Sequence, residues 1–186
     1  MMIWVVLGVV GIAVLWAIAA YNRLVALKNQ SLNGWKQIDV QLKRRHDLIP
    51  NLVETVKGVM KFEQTTLTQV IEARNKAVSA QGVGEKAVRE NALSGALRQL
   101  FALTENYPNL KSNENVGKLQ EELSSTENKI SFARQFYNDI TTTFNTALQS
   151  FPTNLIAGNF GFKPMELFEI TDASEKEAPK VDLNLG

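Results

Sequence analysis

Residues 1–20, MMIWVVLGVVGIAVLWAIAA, carry no charged side chain, and the first charge is Arg23. An α-helix rises about 1.5 Å per residue, so the run covers roughly 30 Å, the thickness of a bilayer's hydrocarbon core. Trp4, Trp16 and Tyr21 stand near its two ends, where amphipathic rings prefer the membrane interface. A cleaved signal peptide is one competing reading, with Ala17-Ile18-Ala19 as its small-residue site. Against it, the apolar run has no basic stretch ahead of it. A buried helix of a soluble domain is the other, but few small domains hold a helix that is apolar on every face over this length. Residues 1–22 are therefore read as a retained transmembrane anchor. Arg23, Lys28 and Lys36 come soon after, so the positive-inside rule puts the amino end outside and the main domain in the cytoplasm.

The chain beyond the anchor is long enough for one folded domain, since compact domains run about 100–150 residues. Over the 186 residues, 45% are hydrophobic and 21% charged, which excludes a disordered chain and a polytopic membrane protein. The net charge of +1 gives no general attraction to nucleic acid. With no cysteine and one histidine, His46, the chain cannot build a disulfide scaffold, a thiolate nucleophile or a multi-histidine zinc site.

The domain reads as all-α. Apolar residues recur every three or four positions as Leu24, Leu27, Trp35, Ile38 and Leu42, then as Ile49, Leu52, Val56, Val59, Leu67 and Val70. The first helix is expected to continue straight out of the membrane, with Gly34 its one soft point. Pro50 is expected to interrupt the ladder or to open a new helix capped by Asp47. Gln81-Gly82-Val83-Gly84 marks a break. A third helix spans about Glu85 to Glu105, with Ala92, Leu93, Ala96, Leu97, Leu100 and Leu103 inward, and Asn106-Tyr107-Pro108-Asn109 ends it. In the fourth, Val116, Leu123, Ile130, Tyr137 and Phe144 share one heptad position, and Leu119, Thr126, Ala133, Ile140 and Ala147 share another. Five heptads of this kind imply bundle or coiled-coil packing, with Lys118, Glu121, Glu122 and Lys129 on the wet face. The expected architecture is a single transmembrane helix running into an antiparallel bundle of about four long helices over residues 23–165. An irregular cap, FPTNLIAGNFGFKP (151–164), and an acidic, mobile tail over 166–186 complete it.

Chemistry is scarce. His46 lies in Lys43-Arg44-Arg45-His46, where neighbouring cations make a poor setting for a general base, and it reads as a helix-surface residue. The sequence contains no G-x-S-x-G, no H-E-x-x-H and no clustered carboxylate ligand set. Gly82-x-Gly84 lacks a Walker lysine, and Glu121-Glu122 point in different directions on a helix. No catalytic, cofactor-binding or metal-ligating residue is assigned. From Arg23 to Lys61 the local net charge is +5, and from Glu166 to Asp182 it is −4. The basic run reads as a solvated helix face, with Arg45 free to turn inward toward an acid. Only Arg23 and Lys28 lie near enough to meet anionic lipid heads, because a straight helix carries Lys43 roughly 35 Å away. No aromatic residues interleave the basic cluster, which argues against RNA.

Tyr21-Asn22-Arg23-Leu24-Val25 and the run from Trp35 to Arg45, WKQIDVQLKRR, resemble the signature of the LemA family, as does Asp47 to Gly58, DLIPNLVETVKG. Leu119-Gln120-Glu121-Glu122-Leu123, Thr126-Glu127-Asn128, Phe132-Ala133-Arg134, Tyr137-Asn138, Phe151-Pro152-x-Asn154-Leu155-Ile156-Ala157 and Phe160-Gly161-Phe162 extend the likeness to about Glu169. His46 departs from it, since a tyrosine is common there. The resemblance implies a bacterial single-pass membrane protein with a helical-bundle domain and no established enzymatic activity. The expectation is thus a non-enzymatic scaffold that self-associates at the bacterial inner membrane, with membrane lipids and a second copy as partners. The alternative is an adaptor that presents 151–164 to another membrane protein such as a protease. An enzyme or lipid-transfer protein needs a lined cavity inside the bundle.

Overall fold

The computed structural model describes residues 1–58 and 64–169; Val59 and the tail beyond Glu169 lie outside these. The described residues are helical with no strand among them: α1 (Met2–Lys57), α2 (Gln64–Ser79), α3 (Gly82–Thr104), α4 (Pro108–Lys111), α5 (Glu114–Gln149) and α6 (Thr153–Asn159). Four of these are long. They run alternately up and down, and two short helices turn and cap them.

α1 is one unbroken helix of 56 residues, so the apolar run and the first helix of the domain are a single rod of about 84 Å. The expected interruption at Pro50 does not occur. Proline has no N–H to donate to the carbonyl four residues back, which is that of His46. Arg74 of α2 fills the gap, its Nε donating to the His46 carbonyl oxygen at 2.9 Å. The interruption is repaired from outside the helix, which is why Asp47 caps nothing.

α5 lies antiparallel to α1 along its full length. All five residues of the first heptad position, Val116, Leu123, Ile130, Tyr137 and Phe144, are buried. They meet α1 in three successive clusters. Leu123 and Val116 pack with Leu52 and Val56 at the far end. Ile130 and Tyr137 pack with Ile38 and Leu42 in the middle. Phe144 and Leu148 pack with Leu24 and Leu27 near the apolar run. Gly34 is a point of close approach and not a soft point, since a Cβ there would stand 3.3 Å from the Tyr137 Cα. Asn113 caps α5, its side chain accepting from the amides of Asn115 and Val116.

α2 and α3 form a hairpin that covers α1 only in its upper half. The turn between them needs Gly82, whose φ of +77° suits a residue without a side chain. Leu93, Leu97 and Leu100 face inward as expected, but Ala92 is exposed. Glu90 takes the inward position one turn before Leu93. The molecule is therefore a four-helix head, a two-helix stalk of α1 and α5, and the apolar span.

The segment after α5 is irregular on either side of the two-turn helix α6. Ile156, Ala157 and Phe162 pack on Leu24, Leu27, Phe144 and Leu148 and close the lower end of the stalk. The chain then climbs back along α5 as an extended strap. Asn145 donates to the Met165 carbonyl at 2.8 Å and accepts from the Met165 amide at 2.9 Å. Asn138, two turns earlier, does the same for Phe168 at 3.1 and 2.8 Å. The strap reaches Glu169, beyond the boundary at 166 that charge alone suggested.

Candidate functional site

The most concentrated chemistry sits where α3 crosses α1 below the head's apolar core. Arg45 is 1% exposed, and its guanidinium is met from two other helices. One nitrogen, Nη2, donates to a Glu90 carboxylate oxygen and, at 3.3 Å, to the Glu90 carbonyl. The other, Nη1, donates to Glu127 of α5 and, at 2.9 Å, to the Ser94 hydroxyl. The second oxygen of Glu90 accepts from His46 Nε2 at 2.7 Å, which fixes the proton on that nitrogen. One guanidinium and two carboxylates thus meet in the cluster.

Burial pushes the Glu90 carboxyl up, but the hydrogen bond from His46 and the adjacent Arg45 guanidinium outweigh it. The net result lies below the ordinary carboxylate value. A carboxylate held in that state, with both oxygens occupied, is a poor proton acceptor. The arrangement is a clamp: α3 is tied to α1 and α5 through one buried cation. Among the described residues no group of three or more His, Cys, Asp or Glu is placed to hold a metal ion.

His46, expected on the helix surface, is mostly buried against Glu90. Arg45 does turn inward. Sequence reasoning misses Glu90, although its place in the series Ala87, Glu90, Leu93, Leu97, Leu100 puts it on the apolar stripe of α3. An acid on such a stripe, with Arg45 on the stripe of α1, is the signal that could have found the pair. Among the described residues, the other basic side chains of this run are exposed. Arg44 meets Glu122 at 3.4 Å with both side chains half exposed. On α3, Lys86 meets Asp39 of that run at 2.6 Å and lies 5.5 Å from the centre of the Trp35 ring.

Beside the clamp, an open-sided groove of about 500 Å³ runs between α3 and α5, with Leu97, Phe101, Leu123 and Phe168 in its walls. Of the polar side chains that face it, Arg45, Glu90, Ser94 and Glu127 are bonded to one another. The cap divides its apolar residues between two faces. Phe162 turns in toward Phe144 at 6.4 Å between ring centres. Phe151, Leu155 and Phe160 turn out, at 80, 57 and 62% exposure.

Comparison with known proteins agrees with this architecture. Over 165 residues the chain is 28% identical to Protein LemA of Metamycoplasma hominis, covering 87% of this chain and 73% of that protein. It is 25% identical over 181 residues to Magnetosome protein MamQ 2 of Paramagnetospirillum magneticum, and 23% identical over 181 residues to Magnetosome protein MamQ of Magnetospirillum gryphiswaldense. Each of these two alignments covers 83% of this chain and 66% of the relative. None of these names denotes an enzyme. Together with one exposed helix long and apolar enough to cross a bilayer, the likenesses indicate a membrane-associated protein. The LemA family pattern matches residues 34–183, from the middle of α1 through α6 and the strap, and the chain belongs to that family.

Proposed function

We propose that the protein is a non-enzymatic scaffold, anchored by residues 1–22, that self-associates at the bacterial inner membrane with its head in the cytoplasm. The observation that carries the reading is an apolar depression on the outer face of the stalk. Val40 of α1 and Phe132 and Phe136 of α5 line it, at 63, 73 and 46% exposure, with Lys36 and Lys129 at its edge. α1 is continuous with the anchor, so every copy presents this depression at the same height, roughly 30 Å above the apolar run. Copies confined to one membrane plane and meeting about a two-fold axis along its normal bring identical patches face to face, as an isologous interface requires. The orientation rests on Arg23, Lys28 and Lys36, which lie just past the apolar run.

The polar clamp supports a structural role. Its ion pairs are satisfied within the protein, and the only imidazole is engaged with a carboxylate that Arg45 already holds. Mass measurement of the full chain in nanodiscs tests the proposal. An oligomer is expected for the unaltered chain, and a shift toward monomer for Val40→Ser with Phe132→Ser. A chain that is monomeric at every concentration would sink it.

A further inference from the structure

We infer that the outward face of the cap, formed by Phe151, Leu155 and Phe160, is a lipid-contacting surface that seats the folded domain in the membrane interface. Three observations converge on it. First, these are large apolar side chains left mostly exposed by a cap whose other apolar residues are packed away. Second, the patch is joined to the anchor. The Phe160 ring lies 4.8 Å from that of Tyr21, and Phe162 lies 5.8 Å from it. Tyr21 directly succeeds the apolar run. Third, exposure along α1 shows how low the cap reaches. Residues 1–16 are open, Ala17 is partly covered and Ala20 is buried. The cap therefore stands beside the last turn of the span, at the depth where headgroups meet acyl chains and aromatic rings are favoured.

Lipid is the occupant that continuity with the span selects. A second copy or another protein reaching this face would first have to displace the bilayer around Tyr21. The inference rests on the anchor proposed above, and the test separates the two.

The chain has no cysteine, so single cysteines can be placed without background. Nitroxide labels at Phe151→Cys and Leu155→Cys are compared with one at Val88→Cys, an exposed site on α3, and one at Val10→Cys, within the span. The purified full chain is reconstituted in nanodiscs of phosphatidylethanolamine and phosphatidylglycerol, and collision with oxygen and with a water-soluble nickel chelate is measured. The expected result is a several-fold higher oxygen-to-nickel ratio at 151 and 155 than at 88, approaching the ratio at 10. The ratio should stay unchanged when labelled protein is diluted with unlabelled chain. Ratios at 151 and 155 equal to that at 88, with 10 still lipid-like, would overturn the inference and leave the anchor standing. An aqueous ratio at 10 as well would remove both. Spin–spin broadening at 155 that vanishes on dilution would assign the face to a second copy and overturn lipid as its occupant.

Discussion

Glu90 contributes to stability through its charge, and its linkage to pH has a definite sign. Its carboxyl titrates at about 4.5 in the unfolded chain and lower in the folded one. The contribution is therefore complete above the unfolded value and is lost as pH falls through the folded one. Glu90→Gln should cost about 3–5 kcal/mol at neutral pH, because it leaves the buried Arg45 with one carboxylate fewer. Its stability should also fall less steeply in acid than that of the unaltered chain, which thermal melts from pH 7 to pH 3 would show. Pro50 and Arg74 are coupled in a different way. Arg74→Ala orphans the His46 carbonyl and should cost about 1–2 kcal/mol. In a Pro50→Ala background the backbone bond can re-form, so the same change should cost measurably less, and equal costs in the two backgrounds would refute the repair. Neither pairing is written in local sequence. Periodicity shows that Pro50 falls in a helical stretch, but the donor that tolerates it lies 24 residues away. Glu90 shows only as an acid out of place on an apolar stripe.

At the scale of elements, α5 is the most legible part of the chain. Five inward residues at a spacing of seven admit one face and one partner direction, and all five are buried. The closeness of α1 and α5 is harder to read, since Gly34 looks the same in sequence whether it loosens a helix or lets a neighbour approach. Gly34→Val places methyl groups against the backbone of Tyr137 and should destabilise the stalk by about 1–3 kcal/mol, seen as a lower Tm. The strap is invisible to periodicity because two asparagine side chains hold it where a helix or sheet partner usually would. Asn138→Ala leaves the Phe168 amide and carbonyl unpaired and should speed hydrogen exchange in residues 165–169 by about tenfold, while α1 amides stay protected. The same backbone pairing explains why acidic composition places the tail's start too early: charge density marks solvation and misses a main chain tied down by its neighbours.

The whole molecule divides by burial into a part that folds on itself and a part that does not. No side chain among residues 1–16 is buried, so these residues add nothing to the packed core. A chain lacking residues 1–16 should keep a cooperative melt with a Tm within a few degrees of the full chain and lose most of its partition into detergent. Loss of folding would show that the span organises the bundle. The division is plain in sequence because twenty uncharged residues admit few alternatives. The head-and-stalk shape is not, since it depends on how far the α2–α3 hairpin reaches down α1. That α1 has no joint between bilayer and head has a mechanical consequence. A thinner bilayer is accommodated by leaning the span, and a lean of about ten degrees, carried along roughly 55 Å of rigid rod, sweeps the far end sideways by about 10 Å. Changes in lipid thickness thus reach the far end of the molecule as lateral displacement of the four-helix head.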